Sequence, residues 1–358
     1  MLDLTLRAVS ARSLRGVDAH FERNTHTAVI GPPAAGASTL LSLIAGTIRP
    51  VHGSILIGTR DVTAVKASRR PLLYLTAALG APDRWSVQHA LIAAVRQRTL
   101  DRIDRQREYD LAVARWRLSA LTGRRIGTLS TSERTLVHLA RVELLHPAIV
   151  VADRLLEGLN PSLLVWAADQ MYRVLRVIGA TVVSVPASRL ELGFADAVLV
   201  LADGTIVQRG RPAEVFTRPA SEAAAAATGE VNSIPMALRG NQAESVMGAW
   251  EVEQPQFEGN GIALARPEDF EVAAPGEDSD LIFSVEEASF AGGRWLATGL
   301  LTGGIRLRVA LPMDVAVWKG KLLALRYDAS RFVLLPSQTA APSSFPPAGG
   351  VPSLGETR

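Results

Sequence analysis

Cysteine is missing from this 358-residue chain, and lysine is rare, since Lys66, Lys319 and Lys321 are the only three among 38 basic residues. The missing thiols exclude disulfide bonds, thiolate metal sites and a cysteine nucleophile. No apolar run approaches the roughly 18 residues that a membrane-spanning helix needs, and the first residues lack a basic segment followed by an apolar one. We therefore expect a protein that is soluble or peripheral to a membrane.

The charge pattern argues against a nucleic-acid partner. The formal net charge is +3, and the arginines between residues 102 and 107 are interleaved with acidic residues, as on a solvated helix face. A nucleic-acid groove would need a stripe of one sign. The length and the 48% hydrophobic content predict about two packed domains.

The apolar pattern predicts an α/β domain over residues 1–225. Short continuous apolar runs alternate with helical stretches, which is typical of a parallel sheet covered on both faces. These runs lie at 27–30, 148–152, 181–185 and 197–201. Helical periodicity predicts a helical subdomain at about 76–135. Residues 226–336 change to short alternating strands, which predict a small β-barrel, and the composition of 337–358 predicts a disordered tail.

Residues 31–39 have the outline of a phosphate-binding loop, G-x-x-x-x-G-K-[ST]. In that pattern backbone N–H groups face the phosphates, the lysine reaches the β- and γ-phosphates, and the Ser/Thr hydroxyl holds Mg²⁺. Here alanine stands at the lysine position. The predicted nucleotide-binding residues are Gly31, Gly36, Ala37, Ser38 and Thr39. The simpler alternative is a tight turn before a helix whose N-terminus binds any anion.

Later motifs resemble, in their order, the ATP-binding subunits of ABC transporters. Residues 129–134 read L-S-T-S-E-R where that family's signature reads L-S-G-G-Q-x-R, and an apolar strand then ends at Asp153. The run 265–269, A-R-P-E-D, resembles the start of the carboxy-terminal barrel of carbohydrate-importer members. The resemblance covers roughly residues 1–336. It implies a P-loop ATPase domain with a helical subdomain, followed by an OB-like regulatory β-barrel.

The chain departs from this family at most of its catalytic positions. Ala37 replaces the lysine, Arg154 the glutamate that polarises the attacking water, and Ala187 the histidine that holds the γ-phosphate. No aromatic residue precedes Phe21 to stack on adenine. The other departures are Thr76 for a glutamine, Thr131 and Ser132 for the signature glycines, and Asn160 for an aspartate.

Two retained side chains each have a functional and a structural interpretation. Asp153, with Ser38, is a predicted Mg²⁺ ligand, or else an N-cap or loop carboxylate. Ser130 is predicted to contact a nucleotide held by a partner, or to be the N-cap of the next helix with Glu133 at capping-box spacing. We therefore expect ATP and Mg²⁺ to be held weakly or not at all at this chain's own site.

The leading hypothesis is a degenerate ATP-binding subunit of an ABC importer for a carbohydrate, polyol or glycerol-like solute. It would pair with a catalytically intact ATP-binding subunit and two permeases at the cytoplasmic face of the membrane, and indirectly with a solute-binding protein. Its own ATPase activity would be little or none. The alternatives are a regulatory or scaffold protein that does not take part in transport, and a true ATPase that uses Lys66 as a substitute cation.

Overall fold

The computed structural model describes residues 2–76, 81–274 and 277–337. The chain divides into two compact units between Val215 and Phe216. The sequence predicts a later end for the first domain, at residue 225. The predicted domain limits remain predictions. Apart from Ser337, the predicted tail at 337–358 lies outside the described residues.

The first unit is built on two sheets. Its elements, in chain order, are β1 (Leu4–Ala11), β2 (Leu14–Phe21), β3 (His26–Ile30), α1 (Ala37–Ala45), β4 (His52–Ile57), β5 (Arg60–Asp61), β6 (Leu73–Leu75), α2 (Val87–Val95), α3 (Arg102–Arg115), α4 (Thr131–Leu145), β7 (Ile149–Asp153), α5 (Pro161–Ile178), β8 (Thr181–Val185), β9 (Ala197–Ala202), β10 (Thr205–Gly210) and α6 (Pro212–Thr217), which crosses the division. One sheet has the order β2-β1-β4-β5 and the other the order β10-β9-β3-β8-β7-β6. Strands β6 to β9 pair with β3 and with one another in parallel, which confirms the predicted parallel sheet.

The central strands are buried on both faces, as their continuous apolar sequence predicts. Along β7 and β8, Val150 and Val182 pack with the helices α2 to α5. The neighbouring Val151 and Val183 pack with α1 and the antiparallel sheet. Because successive strand residues point to opposite faces, an apolar residue is needed at every position of these strands.

The helical segment between β6 and β7 packs around Trp116, which is buried. The indole Nε1–H of Trp116 donates to Glu143 Oε2 at 2.6 Å, and Arg115 Nε donates to Glu143 Oε1 at 3.1 Å. Burial raises the pKa of the Glu143 carboxyl, against these two donors. Trp116 is therefore a core residue of the helical segment.

In its described residues the second unit contains the short helix α7 and ten strands. They are α7 (Glu222–Thr228), β11 (Asn232–Arg239), β12 (Gln242–Ser245), β13 (Gly248–Glu251), β14 (Gly259–Ala265), β15 (Phe270–Val272), β16 (Leu281–Phe290), β17 (Arg294–Leu301), β18 (Arg306–Pro312), β19 (Leu322–Tyr327) and β20 (Val333–Pro336). Two five-stranded antiparallel sheets, β13-β12-β11-β14-β20 and β15-β19-β16-β17-β18, enclose one apolar core. This arrangement is the predicted small OB-like β domain.

Candidate functional site

The loop at 31–39 joins β3 to α1, as the sequence predicts. A Cβ on Gly31 would lie 2.2 Å from the carbonyl oxygen of Leu201, so only glycine fits beside β9. Gly36 has φ +106°, a conformation that L side chains rarely adopt. Ala34 also has a positive φ, of 68°, at a cost of roughly 1–2 kcal/mol relative to an ordinary backbone. The shape of a phosphate-binding loop is therefore retained.

The turn between β1 and β2 lies directly against this loop. A Cβ on Gly36 would lie 2.6 Å from Leu14 Cδ2 and 3.2 Å from Ser13 Oγ. A Cβ on Gly204 would lie 1.8 Å from the carbonyl oxygen of Ser13, and the N–H of Arg15 donates to the Gly204 carbonyl at 2.9 Å. Two glycines thus allow the Arg12–Ser13 turn to sit beside the phosphate loop.

The N-terminus of α1 offers backbone donors but no cation. Its first turn holds no acidic side chain, and no side-chain hydrogen bond caps it within the described part of the chain. Ala37, at the lysine position, is half-buried and packs against the apolar cluster beneath the helix. The remaining attraction for an anion comes from the free N–H groups and the positive end of the helix dipole.

The two predicted metal ligands contact each other. Ser38 Oγ donates to Asp153 Oδ1 at 3.1 Å, which joins the first turn of α1 to the end of β7. A hydroxyl and a carboxylate are ligands that suit Mg²⁺, so this pair fits part of a magnesium site. Among the described residues, no group of three or more His, Asp or Glu side chains could hold a metal.

Arg154, which the sequence predicts to stand at the position of the water-polarising glutamate, cannot act as a base, because a guanidinium stays protonated in proteins. Its backbone has φ 47°, and its N–H donates to the Val185 carbonyl at 2.9 Å. Its side chain is more than half exposed and lies 3.8 Å from Glu157 Oε1. The residue next to the Asp153–Ser38 pair is thus a cation, and its side chain lies beside Glu157.

The segment around Ala187, where the family has a histidine, is fixed by a buried carboxylate. Glu191 Oε1 accepts the N–H of Ala187 at 2.7 Å and the N–H of Ser188 at 3.0 Å. Glu191 is buried, and burial raises its pKa. Tyr172 of α5 also hydrogen-bonds to Glu191 and to Ser184 of β8. This anchor was missed from the sequence, although Ser188 and Glu191 stand at the capping-box spacing that could have revealed it.

The same polar network continues to His26 at the start of β3. His26 stacks on Tyr172 with ring centroids 4.1 Å apart. Its Nδ1–H donates to the Phe194 carbonyl at 3.1 Å, and Nε2 lies 2.8 Å from Ser184 Oγ. Burial lowers the pKa of His26 to about 4, even though the Phe194 carbonyl and Asp196 favour its charged form; the nearby Arg176 lowers the pKa further.

Acid is expected to weaken the fold through two buried histidines, His26 and His138. Burial lowers the pKa of His138 to about 4, as it does that of His26. In the folded chain both histidine pKa values lie below the ordinary value of 6.5, so the full stabilisation of the fold is present above pH 6.5. It is lost as the pH falls towards 4, by about 1.4 kcal/mol per pH unit for each histidine. Urea unfolding of the wild type and of His26→Gln between pH 7 and 5 measures this; the variant should show a smaller pH slope. Equal slopes would contradict the assignment.

Ser130 lies where the sequence predicts, at the N-cap of α4. Its hydroxyl accepts the N–H of Glu133 at 3.2 Å, and Glu133 Oε2 accepts the N–H of Ser130 at 2.7 Å, which confirms the predicted capping box. Arg124 Nη1 pairs with Glu133 Oε1 at 3.0 Å. A role for Ser130 towards a partner's nucleotide remains a proposal.

Comparisons with known proteins agree with this architecture. Residues 14–155 match the family model described as ABC transporter. The chain is 28% identical over 275 residues to the spermidine/putrescine import ATP-binding protein PotA of Marinobacter nauticus, covering 74% of each chain. It is 25% identical over 348 residues to the sn-glycerol-3-phosphate import ATP-binding protein UgpC of Cereibacter sphaeroides, covering 95% of this chain and 99% of that one.

Solved structures show the same fold at lower identity. An ATP-binding cassette of an ABC transporter in its ADP conformation superposes with a TM-score of 0.52 at 20% identity, over 61% of this chain and 96% of that one. The cbiO1 protein of Clostridium perfringens, part of an ABC transporter complex, has the same TM-score and identity, over 60% and 90%. No helix among the described residues is long and apolar enough to cross a membrane.

Proposed function

Because this chain has the ABC ATPase fold and is homologous to the ATP-binding subunits of ABC importers, we propose that it is a degenerate subunit of such an importer. It pairs with a catalytically intact ATP-binding subunit and two permeases at the cytoplasmic face of the membrane. A solute-binding protein delivers the solute to the permeases. This chain contributes packing contacts to the transporter and a site with the shape of a nucleotide-binding site. The partner subunit hydrolyses the ATP.

The observation that carries this proposal is a contrast within one site, between its backbone shape and the side chains at its charged positions. Gly31, Gly36 and the Ser38–Asp153 hydrogen bond keep the shape of a phosphate and Mg²⁺ site. The charged groups that phosphoryl transfer needs are replaced, since Ala37 is neutral and Arg154 is a cation that pairs with Glu157. Phosphoryl transfer depends on positioning and charge neutralisation, so the site fits a bound nucleotide better than a reacting one.

The signature segment supports a partnered arrangement with a weakened second site. In head-to-tail dimers of this family each site combines one chain's phosphate loop with the other chain's signature. Here Thr131 and Ser132 stand where glycines would allow backbone N–H groups to approach the partner's phosphates, and Glu133 places a carboxylate at the start of α4. We expect the partner's site to work more slowly with this chain than with a second intact subunit.

The proposed solute is a carbohydrate, polyol or glycerol-like compound. The support is the β domain, together with an alignment to the sn-glycerol-3-phosphate import protein of Cereibacter sphaeroides that runs along almost the whole chain. The similar proteins also include importers of polyamines and of ferric ions. The choice of solute therefore rests on permeases and a binding protein that must be identified by experiment.

Affinity purification from the native host tests the proposal. The tagged chain is expected to co-purify from gently solubilised membranes with two permeases and a second ATP-binding subunit that has the lysine, the glutamate and the histidine. Recovery of the chain alone from the soluble fraction would contradict the proposal and would favour the regulatory or scaffold alternative. Recovery with permeases but no second ATPase would contradict the pairing.

A further inference from the structure

The tight turn at Arg12–Ser13 is the feature of the first unit that the proposed function leaves unexplained. Residues Ala11 and Leu14 pair across the end of β1 and β2, which leaves two residues in the turn. Arg12 has φ 51°, and Ser13 is not among the residues with a positive φ. These are the φ signs of a type II′ turn, whose first position favours glycine. An arginine held there is strained, and such strain often marks a functional position.

Three close approaches fix the position of the turn, and two of them are to the phosphate loop. The Ser13 hydroxyl and the Leu14 side chain lie against Gly36, and the Ser13 carbonyl lies against Gly204. Arg12 precedes Ser13 and is exposed. Its long side chain therefore starts one residue from Ser13, whose hydroxyl lies against Gly36 at the N-cap of α1. Phosphate groups bind at the N-cap in a loop of this shape.

Arg12 has a free guanidinium within the described part of the chain, with neither a hydrogen bond nor an ion pair. Arg154, which directly follows Asp153, instead lies 3.8 Å from Glu157 Oε1. Residues 77–80 read Ala-Ala-Leu-Gly and add no charge. The loop meanwhile lies beside the Asp153 carboxylate and contains no lysine. A phosphate group arriving here needs a cation, and Arg12 is placed to supply it.

We propose that Arg12 replaces the missing lysine as the phosphate-binding cation of this chain's own site. The inference rests on the proposed function, because it takes the loop at 31–39 to be a nucleotide site. A guanidinium matches phosphate oxygens in a bidentate geometry. It comes from a turn outside the loop, so it binds the phosphates without being placed on the bond that hydrolysis breaks. The site then holds a nucleotide without turning it over.

Calorimetric titration of the full chain with ATP and with tripolyphosphate, each with Mg²⁺, tests this assignment. Arg12→Asn removes the charge and keeps a residue that tolerates a positive φ, so the fold should be as stable as wild type in urea unfolding. Loss of one charge-assisted contact should raise the Kd about 10- to 100-fold for both ligands. Arg49→Asn removes an exposed arginine just beyond the other end of α1 and should leave both Kd values unchanged.

The outcomes separate this inference from the proposed function. Equal affinity of wild type and Arg12→Asn, or an equal loss in Arg49→Asn, would overturn the role of Arg12. A loss of affinity for ATP but not for tripolyphosphate would indicate that Arg12 contacts the base. It would also overturn the proposed phosphate contact. A wild-type chain that binds neither ligand would overturn the inference and leave the silent-subunit proposal standing. Hydrolysis of ATP by the wild-type chain alone would instead contradict the proposed function.

Discussion

Purified by itself, the wild-type chain is expected to hydrolyse ATP at least about 10⁴-fold more slowly, in the same assay, than an intact subunit, chosen as a related ATP-binding subunit that has the lysine, the glutamate and the histidine. Electrostatic groups of this kind each contribute about 10²–10³ in rate, so two losses already give that factor. In the proposed assignment this chain lacks three of them, at Ala37, Arg154 and Ala187. Phosphate release, measured over hours at saturating ATP with Mg²⁺, gives the rate.

Restoring the charged groups one at a time should change little, because catalytic groups that act as a unit are strongly non-additive. Ala37→Lys alone is expected to tighten ATP binding and to leave the rate near that of the wild type. The triple variant Ala37→Lys, Arg154→Glu and Ala187→His is expected to raise the rate by at least about 10²-fold over the wild type. Arg49→Lys is a matched control for added lysine, away from the site.

The geometry also sets a limit on that recovery. Ala187 donates its N–H to the buried Glu191, so a histidine introduced there starts from a fixed backbone. Residue 154 has a positive φ, which any replacement must also adopt. A wild-type rate equal to that of the intact comparator would contradict the degenerate-site assignment. A triple variant no faster than the wild type would show that geometry, as well as charge, has been lost.

Local signals in the sequence were sufficient for the loop and for several helix limits. The sequence predicts a helix from Ser38 to Ala45 that is closed by Gly46, and α1 spans Ala37–Ala45 with Gly46 at φ 80°. The capping-box spacing of Ser130 and Glu133 likewise predicts the start of α4. These signals work because the partners lie within a few residues of each other, so spacing alone fixes the contact.

Contacts that join distant parts of the chain could not be predicted in this way. The Ser13–Gly36 and Ser13–Gly204 approaches depend on how β1 and β2 lie over the second sheet. The contacts of Tyr172 with His26 and with Glu191 depend on how α5 packs against β3 and the turn after β8. The Ser38–Asp153 contact was expected only through the family resemblance, because nothing in the spacing of the two residues requires them to meet.

Replacement of Arg70 is expected to cost about 3–5 kcal/mol of stability in the first unit. Arg70 is 5% exposed, and its guanidinium donates to four backbone carbonyls. Nη1 reaches the carbonyls of Leu43 and Ile44, both at 2.7 Å, in the last turn of α1. Nε donates to Val65 at 3.0 Å and Nη2 to Thr63 at 3.2 Å.

Arg70→Met keeps an unbranched stem of similar bulk and removes every donor. Each buried carbonyl left without a partner costs about 1–3 kcal/mol, and the positive charge at the negative end of the α1 dipole is lost as well. Arg69→Met is the matched control, since Arg69 is the exposed neighbour in the same short turn. That control should change stability by less than about 0.5 kcal/mol.

Amide hydrogen exchange gives the sharper readout, because a chain with two units need not unfold in one step. Arg70 contacts α1 at its C-terminal end, and the phosphate loop lies at the other end. If Arg70 holds α1 in position, Arg70→Met should speed amide hydrogen exchange throughout α1. The exchange rates of the strands of the second unit should not change. Faster exchange confined to residues 63–70 would contradict that role. It would mean that packing of Leu40, Leu41 and Ile44 alone holds the helix, and with it the loop, in place.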